Sequence, residues 1–298
     1  MCGIVGLFLK DKKLEPELGN MLTDMLITMT NRGPDSAGIA IYGNDADGNS
    51  KLTVQSDNPA QDFKGLKKAL RKATGVKISV TKKDTHAILE MPTDDMTKVR
   101  SALKTIRPDV RVMSAGDTME IYKETGLPEE VANRFDLRSM TGTHGIGHTR
   151  MATESAVTTL GAHPFSTGAD QCLVHNGSLS NHNSLRRKLR RDGVTIETEN
   201  DTEVGAAYLT WKMRHGSTLG EALESSLDDL DGFFTFVVGT KDGFGVVRDP
   251  IACKPAVMAE TDQYVAFGSE YRALVNLPGI EDAHVWEPEP ATVYFWKH

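Results

Sequence analysis

The chain has 298 residues, enough to bury a full core as one large domain or two small ones. Its formal net charge is −7 with acids and bases interspersed, which argues against nucleic acid as the main partner, because phosphate binding wants a basic face. No apolar run approaches the roughly 18 residues of a membrane span, and the short N-terminal run leads straight into Lys10-Asp11-Lys12-Lys13, unlike a secretory leader.

The first stretch is Met1-Cys2-Gly3-Ile4-Val5-Gly6. Ile4 to Leu9 is apolar and β-prone, so a strand is expected to pin the terminus inside the fold. Removal of Met1 would leave Cys2 with both a thiol and a free α-amine. That amine, with an ordinary pKa of about 8, can take the thiol proton. The plain alternative is a chance cysteine in a buried strand. Cys2, Cys172 and Cys253 are odd in number and far apart, which fits neither a disulfide framework nor a zinc site. A reducing cytoplasm and no metal are expected.

Leu18, Met21, Leu22, Met25 and Met29 recur at helical spacing, which predicts a helix over 15–30 stopped by Gly33-Pro34. Ala37 to Tyr42 reads as a strand. Residues 62–140 read as a small inserted α/β subdomain: a basic amphipathic helix ending at Gly75, strands at 76–80 and 87–91, a helix N-capped by Thr93, and a strand at 110–113. Beyond it, Gly145 to Arg150 is a Gly-rich strand, Cys172 to Val174 a short strand, and His175-Asn176-Gly177 a turn. Helices around Leu185, from Asp201 and over 219–230 precede a β-rich end. Helices set between two runs of strands favour a layered α+β sandwich over a doubly wound sheet.

Several motifs occur in order: Cys2-Gly3-Ile4-Val5-Gly6, Arg32-Gly33-Pro34-Asp35-Ser36-Ala37-Gly38, Gly147-His148-Thr149-Arg150-Met151-Ala152-Thr153, Ala162-His163-Pro164, His175-Asn176-Gly177, Asn200-Asp201-Thr202-Glu203, Arg248-Asp249-Pro250 and Phe267-Gly268-Ser269-Glu270. Any one is weak; the ordered set resembles class II glutamine amidotransferase domains. The resemblance implies a four-layer αββα sandwich of the N-terminal-nucleophile hydrolase type spanning 1–298, with 62–140 inserted. It also implies hydrolysis of the glutamine side-chain amide through a Cys2 thioester. Asn176 and Gly177 would then supply the oxyanion donors. Arg150 would hold the substrate carboxylate and Asp201 its ammonium. Thr153 and His163 would line the pocket, and Arg32 and Asp35 would brace it. Taken alone, Arg150 reads as an ion-pair residue, Asp201 as a helix N-cap, and His148 and His175 as core histidines. Met151 departs from the pattern, since an aromatic residue often follows the arginine in the family.

The chain ends soon after Glu270, so the expectation is a separate synthase subunit that receives the ammonia. The free-standing domain looks most like the amidotransferase subunits of N-methylglutamate synthase and glutamate synthase-like enzymes. That likeness implies no cofactor in this chain, with FMN and iron–sulfur clusters in the partner subunits; three cysteines are too few for a cluster of four thiolates. A self-sufficient amidohydrolase of the same fold and a catalytically silent glutamine-binding regulatory subunit remain open at this level.

Overall fold

The computed structural model describes residues 2–43, 48–152 and 156–298. The chain opens with β1 (Gly3–Leu9), α1 (Leu18–Thr28) and β2 (Ser36–Tyr42). There follow β3 (Asn49–Gln55), the short α2 (Pro59–Asp62), α3 (Leu66–Thr74), β4 (Ser79–Lys83), β5 (His86–Pro92), α4 (Met96–Ile106) and β6 (Arg111–Gly116). Next come β7 (Met119–Thr125), α5 (Pro128–Phe135), β8 (His144–Arg150), β9 (Phe165–Gly168) and β10 (Gln171–Leu179). Helices α6 (His182–Arg191), α7 (Asp201–Arg214) and α8 (Leu219–Asp229) precede β11 (Gly232–Thr240), β12 (Gly243–Arg248), β13 (Val257–Glu260), β14 (Tyr264–Gly268), β15 (His284–Trp286) and β16 (Val293–Lys297).

A seven-stranded sheet, ordered β15-β13-β14-β1-β8-β2-β7, faces a five-stranded sheet, ordered β16-β12-β11-β10-β9. The period-2 alternation of strand side chains assigns the faces. From β1, Ile4 and Phe8 enter the inter-sheet core with Val174, Val237 and Phe244. Val5, Leu7 and Leu9 point the other way, onto Leu22, Leu26 and Phe135 of α1 and α5. On the far side, Leu173, Phe234 and Phe236 pack against Leu189, Val204 and Leu223 of α6, α7 and α8. The result is the expected αββα sandwich, with β1 in the middle of its sheet, hydrogen-bonded to β14 and β8. Cys2 therefore sits at the end of a fully paired strand.

The inserted layer has different limits from those read in the sequence. Its four-stranded sheet, β4-β5-β3-β6, runs from Asn49 to Gly116, and α3 and α4 cover it with Leu66, Leu70, Val99 and Leu103. Residues 117–140 belong to the main body, because β7 pairs with β2 along its whole length. Residues 76–78 lie outside β4, and Thr93 makes no side-chain cap; its hydroxyl instead receives that of Ser50. His175-Asn176-Gly177 is not a turn but the middle of β10, where it pairs with Phe236, Thr235 and Phe234 of β11.

Asp170 ties the inserted layer to the main body. Its carboxylate accepts the backbone N–H groups of Asp117, Thr118 and Met119 at 2.8–2.9 Å, and its own N–H donates to Ala115. These bonds fix the connection from β6 to β7. Asp170→Ala would leave buried donors unsatisfied and is expected to cost about 3 kcal/mol. Thermal unfolding of the variant beside the parent chain measures it; an unchanged melting temperature would show that the clamp is redundant.

Candidate active site

The order of β1, β8 and β2 in the sheet brings the first motif beside two others. Cys2 is half-buried, and its Sγ lies 3.9 Å from the carbonyl oxygen of Met151, directly after the end of β8. The Cys2 carbonyl accepts Arg32 Nε at 2.9 Å and Asn176 Nδ2 at 3.3 Å. Arg32 is buried and its Nη1 bonds Glu270 at 2.7 Å, while Arg272 holds the other carboxylate oxygen at 2.6 Å. The Arg32 hydrogen bond, more than the two guanidinium charges, holds the Glu270 carboxyl below its usual range. Ser269 closes the same corner, its hydroxyl accepting the Ile4 N–H. Neither Ser269 nor Glu270 had an assigned role in the sequence; the ordered motif that contains them was the available signal.

Gly177 follows Asn176 with φ +151°. A Cβ there would lie 1.9 Å from the Phe233 carbonyl oxygen, so only glycine keeps β10 and β11 paired at this point. Asp35 accepts the Ala152 N–H at 2.7 Å and donates its own backbone N–H to Arg150. Arg150 ends β8 and is buried, with Nη1 donating to Ala156 at 3.3 Å. Asp201 opens α7, where Asn200 supplies the N-cap, and its carboxylate accepts the Leu179 N–H at 3.0 Å. Thr153 lies outside the described residues.

Behind these groups the structure gathers His148, His163 and His175 around Thr202. The hydroxyl of Thr202 is 2.7 Å from His163 Nε2 and 3.0 Å from His175 Nδ1. A hydroxyl carries one hydrogen, so at most one of the two rings accepts from it, and the Asp201 carboxylate at 3.5 Å is a further acceptor. His148 stacks on His163 at 4.0 Å and its Nε2 reaches the His175 carbonyl. Burial pushes His148 down to about 3 and depresses His163 well below its ordinary value. His175 also falls by burial, although Asp201, at 3.9 Å, pulls the other way. Burial favours the neutral form of all three rings, and the charges that act on them are those of Asp201, Arg150, Lys123 and Lys254. Among the described residues, no group of three or more His, Cys, Asp or Glu side chains is placed to hold a metal ion.

Lys123 went unremarked in the sequence. It sits on the inter-sheet face of β7, two residues beyond Ile121, and pairs with Gly38. Its buried ammonium donates to the carbonyls of Ala162 at 2.7 Å and Pro164 at 3.0 Å, and reaches that of Leu160 at 3.5 Å. It therefore holds both flanks of His163.

Residues 148–276, which include His148, Arg150, Asn176, Gly177 and Asp201, match the family described as "Glutamine amidotransferase domain". The glutamine amidotransferase-like protein GlxB of Rhizobium meliloti (strain 1021) is 70% identical over 298 residues, covering 100% of this chain and 99% of that one. A putative glutamine amidotransferase of Methanothermobacter thermautotrophicus is 35% identical over 304 residues, with 99% of each chain covered. The chain belongs to the glutamine amidotransferase family. Its fold agrees: the glutamine phosphoribosylpyrophosphate amidotransferase of B. subtilis superposes with a TM-score of 0.63 at 20% identity, over 99% of this chain and 47% of that one. The αββα sandwich with a cysteine at the head of a central strand is that of the class II amidotransferases. No helix among the described residues is long and apolar enough to cross a membrane.

Proposed function

We propose that this amidotransferase hydrolyses the side-chain amide of L-glutamine at Cys2 and hands the ammonia to a separate synthase subunit. The observation that carries the reading is the junction at Cys2, where Asn176 reaches its carbonyl and the Met151 carbonyl faces its sulfur. With Met1 removed, the α-amine takes the thiol proton and the sulfur attacks the carboxamide carbon. Asn176 and the Gly177 N–H stabilise the negative charge on the oxygen. The carbon–nitrogen bond breaks, the nitrogen takes the proton back and leaves as ammonia, and a γ-glutamyl thioester remains. Water then attacks that carbon, losing its proton to the amine, and glutamate leaves as the thiol is restored.

Arg150 holds the substrate carboxylate and Asp201 its ammonium, while Lys123 and the Thr202–His163 pair fix the wall between them. The sequence resemblance also assigns Thr153 to glutamine binding. Arg32 and Asp35 act at one remove, by fixing the Cys2 carbonyl and the 150–152 backbone. Exposed apolar side chains support a partner at the mouth: Phe233 pairs beside Gly177 and Tyr271 follows Glu270, while Ile251 is 71% exposed next to Asp249, which holds the Phe234 N–H. A synthase of the N-methylglutamate or glutamate synthase type fits the sequence resemblance, and any FMN and iron–sulfur clusters would lie in that partner.

Arg150→Lys and Asp201→Asn test the substrate assignment. Arg150→Lys keeps the positive charge but gives up the two-pronged grip on a carboxylate, and Asp201→Asn removes the negative charge that faces the ammonium; each is expected to weaken binding by about 2 kcal/mol, roughly 30-fold. Calorimetry with L-glutamine reads this; unchanged affinity in both variants would reject the assignment.

A further inference from the structure

A cavity of about 570 Å³ lies where the inserted layer meets the main body. That volume falls within the roughly 300–1,000 Å³ typical of small-molecule sites, which favour such junctions. Its floor is apolar, with Leu103, Val110, Met113 and Phe165 all buried. Its charge is reversed relative to the chain, which carries −7 overall. Arg100, Lys104, Arg111, Lys123 and Arg214 line it, against the carboxylates of Glu197 and Glu203. Glu203 is already saturated by the N–H groups of Glu197 and Thr198 and by the Thr198 hydroxyl. Arg111 has a loose, exposed pairing with Asp57 at 3.6 Å. Arg100, Lys104 and Arg214 have no ion pair among the described residues and come from opposite walls, α4 and the end of α7.

The cavity is also the back of the glutamine site. Lys123, Leu160 and Phe165 line it, and between them the chain passes through His163. Glu203 faces it, while Asp201 and Thr202, in the same helical turn, belong to the histidine cluster. Burial pushes Lys123 down to about 7, so its ammonium gains from an added negative charge nearby.

We propose that this cavity binds a small phosphate-bearing metabolite, and that the bound anion acts on the glutamine site through residues 160–165 and the first turn of α7. Guanidinium and ammonium groups on facing walls suit phosphate oxygens, and the apolar floor suits the body of the metabolite. The second half rests on the assignment of Arg150, His163 and Asp201 to glutamine.

The test titrates the full chain by calorimetry with pyrophosphate, ribose 5-phosphate and ADP at constant ionic strength, using sulfate as the reference anion. At least one probe is expected to bind once per chain in preference to sulfate. Arg100→Glu with Lys104→Glu, and separately Arg214→Glu, all at exposed positions, are each expected to weaken it at least about tenfold. Labelling of Cys2 by 6-diazo-5-oxo-norleucine is then timed with and without the probe; a change of at least about threefold is expected in the parent chain and none in the charge-reversed variants. No binding by any probe, binding no better than sulfate, or binding indifferent to either wall overturns the site. Binding with an unchanged labelling rate overturns its action on glutamine. A chain that binds the probe yet never labels at Cys2 contradicts the glutaminase reading and the coupling built on it, and leaves the binding result standing.

Discussion

Cys2→Ala is expected to lower glutamine hydrolysis by about 10⁴-fold or more while leaving glutamine affinity within a few-fold of the parent. The two effects separate because the thiol supplies the attacking atom, whereas the recognition contacts come from Arg150 and Asp201. The structure gives no reason for the variant to misfold. Cys2 heads a strand whose pairing is all backbone, and its carbonyl, not its sulfur, takes the Arg32 and Asn176 bonds. Ammonia release and calorimetry on the same sample measure both quantities. Residual hydrolysis within tenfold of the parent would show that another group attacks the amide.

Acidification is expected to destabilise the protein already above the range where carboxylates titrate. Burial holds His86, His144 and His148 near 3, against about 6.5 for an unfolded histidine. The unfolded chain therefore binds protons that the folded chain refuses. These rings contribute fully above pH 6.5, and their contribution is lost as the pH falls from there towards 3. At pH 5.5 the loss is on the order of 1 kcal/mol for each ring and a few kcal/mol for the three, a sizeable part of a stability of roughly 5–15 kcal/mol. His163 adds in the same direction. Glu270, depressed below 4.5 chiefly by Arg32, loses its contribution only at still lower pH. Lys123 is protonated in both states below about 7 and adds nothing to this limb. Thermal melts from pH 7.5 to 5.0 read the effect, which should shrink when His144 is replaced by Asn. A melting temperature flat across that range would contradict neutral buried rings.

What the sequence revealed depended on whether the signal was local. The apolar, β-prone run from Ile4 to Leu9 is complete within six residues, and it placed Cys2 at a strand end. Arg32, Asp35, Arg150 and Asp201 could be singled out because each falls in a short ordered motif. The turn assigned to His175-Asn176-Gly177 failed because Asn-Gly is a turn signal only when no neighbour pairs with it; here β11 supplies a partner for every residue. The inserted layer was drawn at 62–140 instead of 49–116 because the pairings that bound it, β3 with β5 and β6 and β7 with β2, join segments far apart in the chain. Burial of Lys123 becomes visible only when residues 160–164, nearly forty positions away, bring their carbonyls to it. Asp170 was silent for the same reason: its partners lie about fifty residues back in the chain. The histidine cluster joins four separate motifs, through the Thr202 hydroxyl and the stacking of His148 on His163, a relation that no spacing rule encodes.

The claim on which the account turns is that Cys2 is an N-terminal nucleophile that recognises glutamine. Intact mass and peptide mapping after treatment with 6-diazo-5-oxo-norleucine test it most directly, with the exposed thiol of Cys253 as an internal control for indiscriminate alkylation. The account predicts loss of Met1 and a single adduct on Cys2, suppressed by L-glutamine. A chain with Met1 removed that stays unlabelled at Cys2, or that takes up the reagent at Cys253 instead, would contradict it.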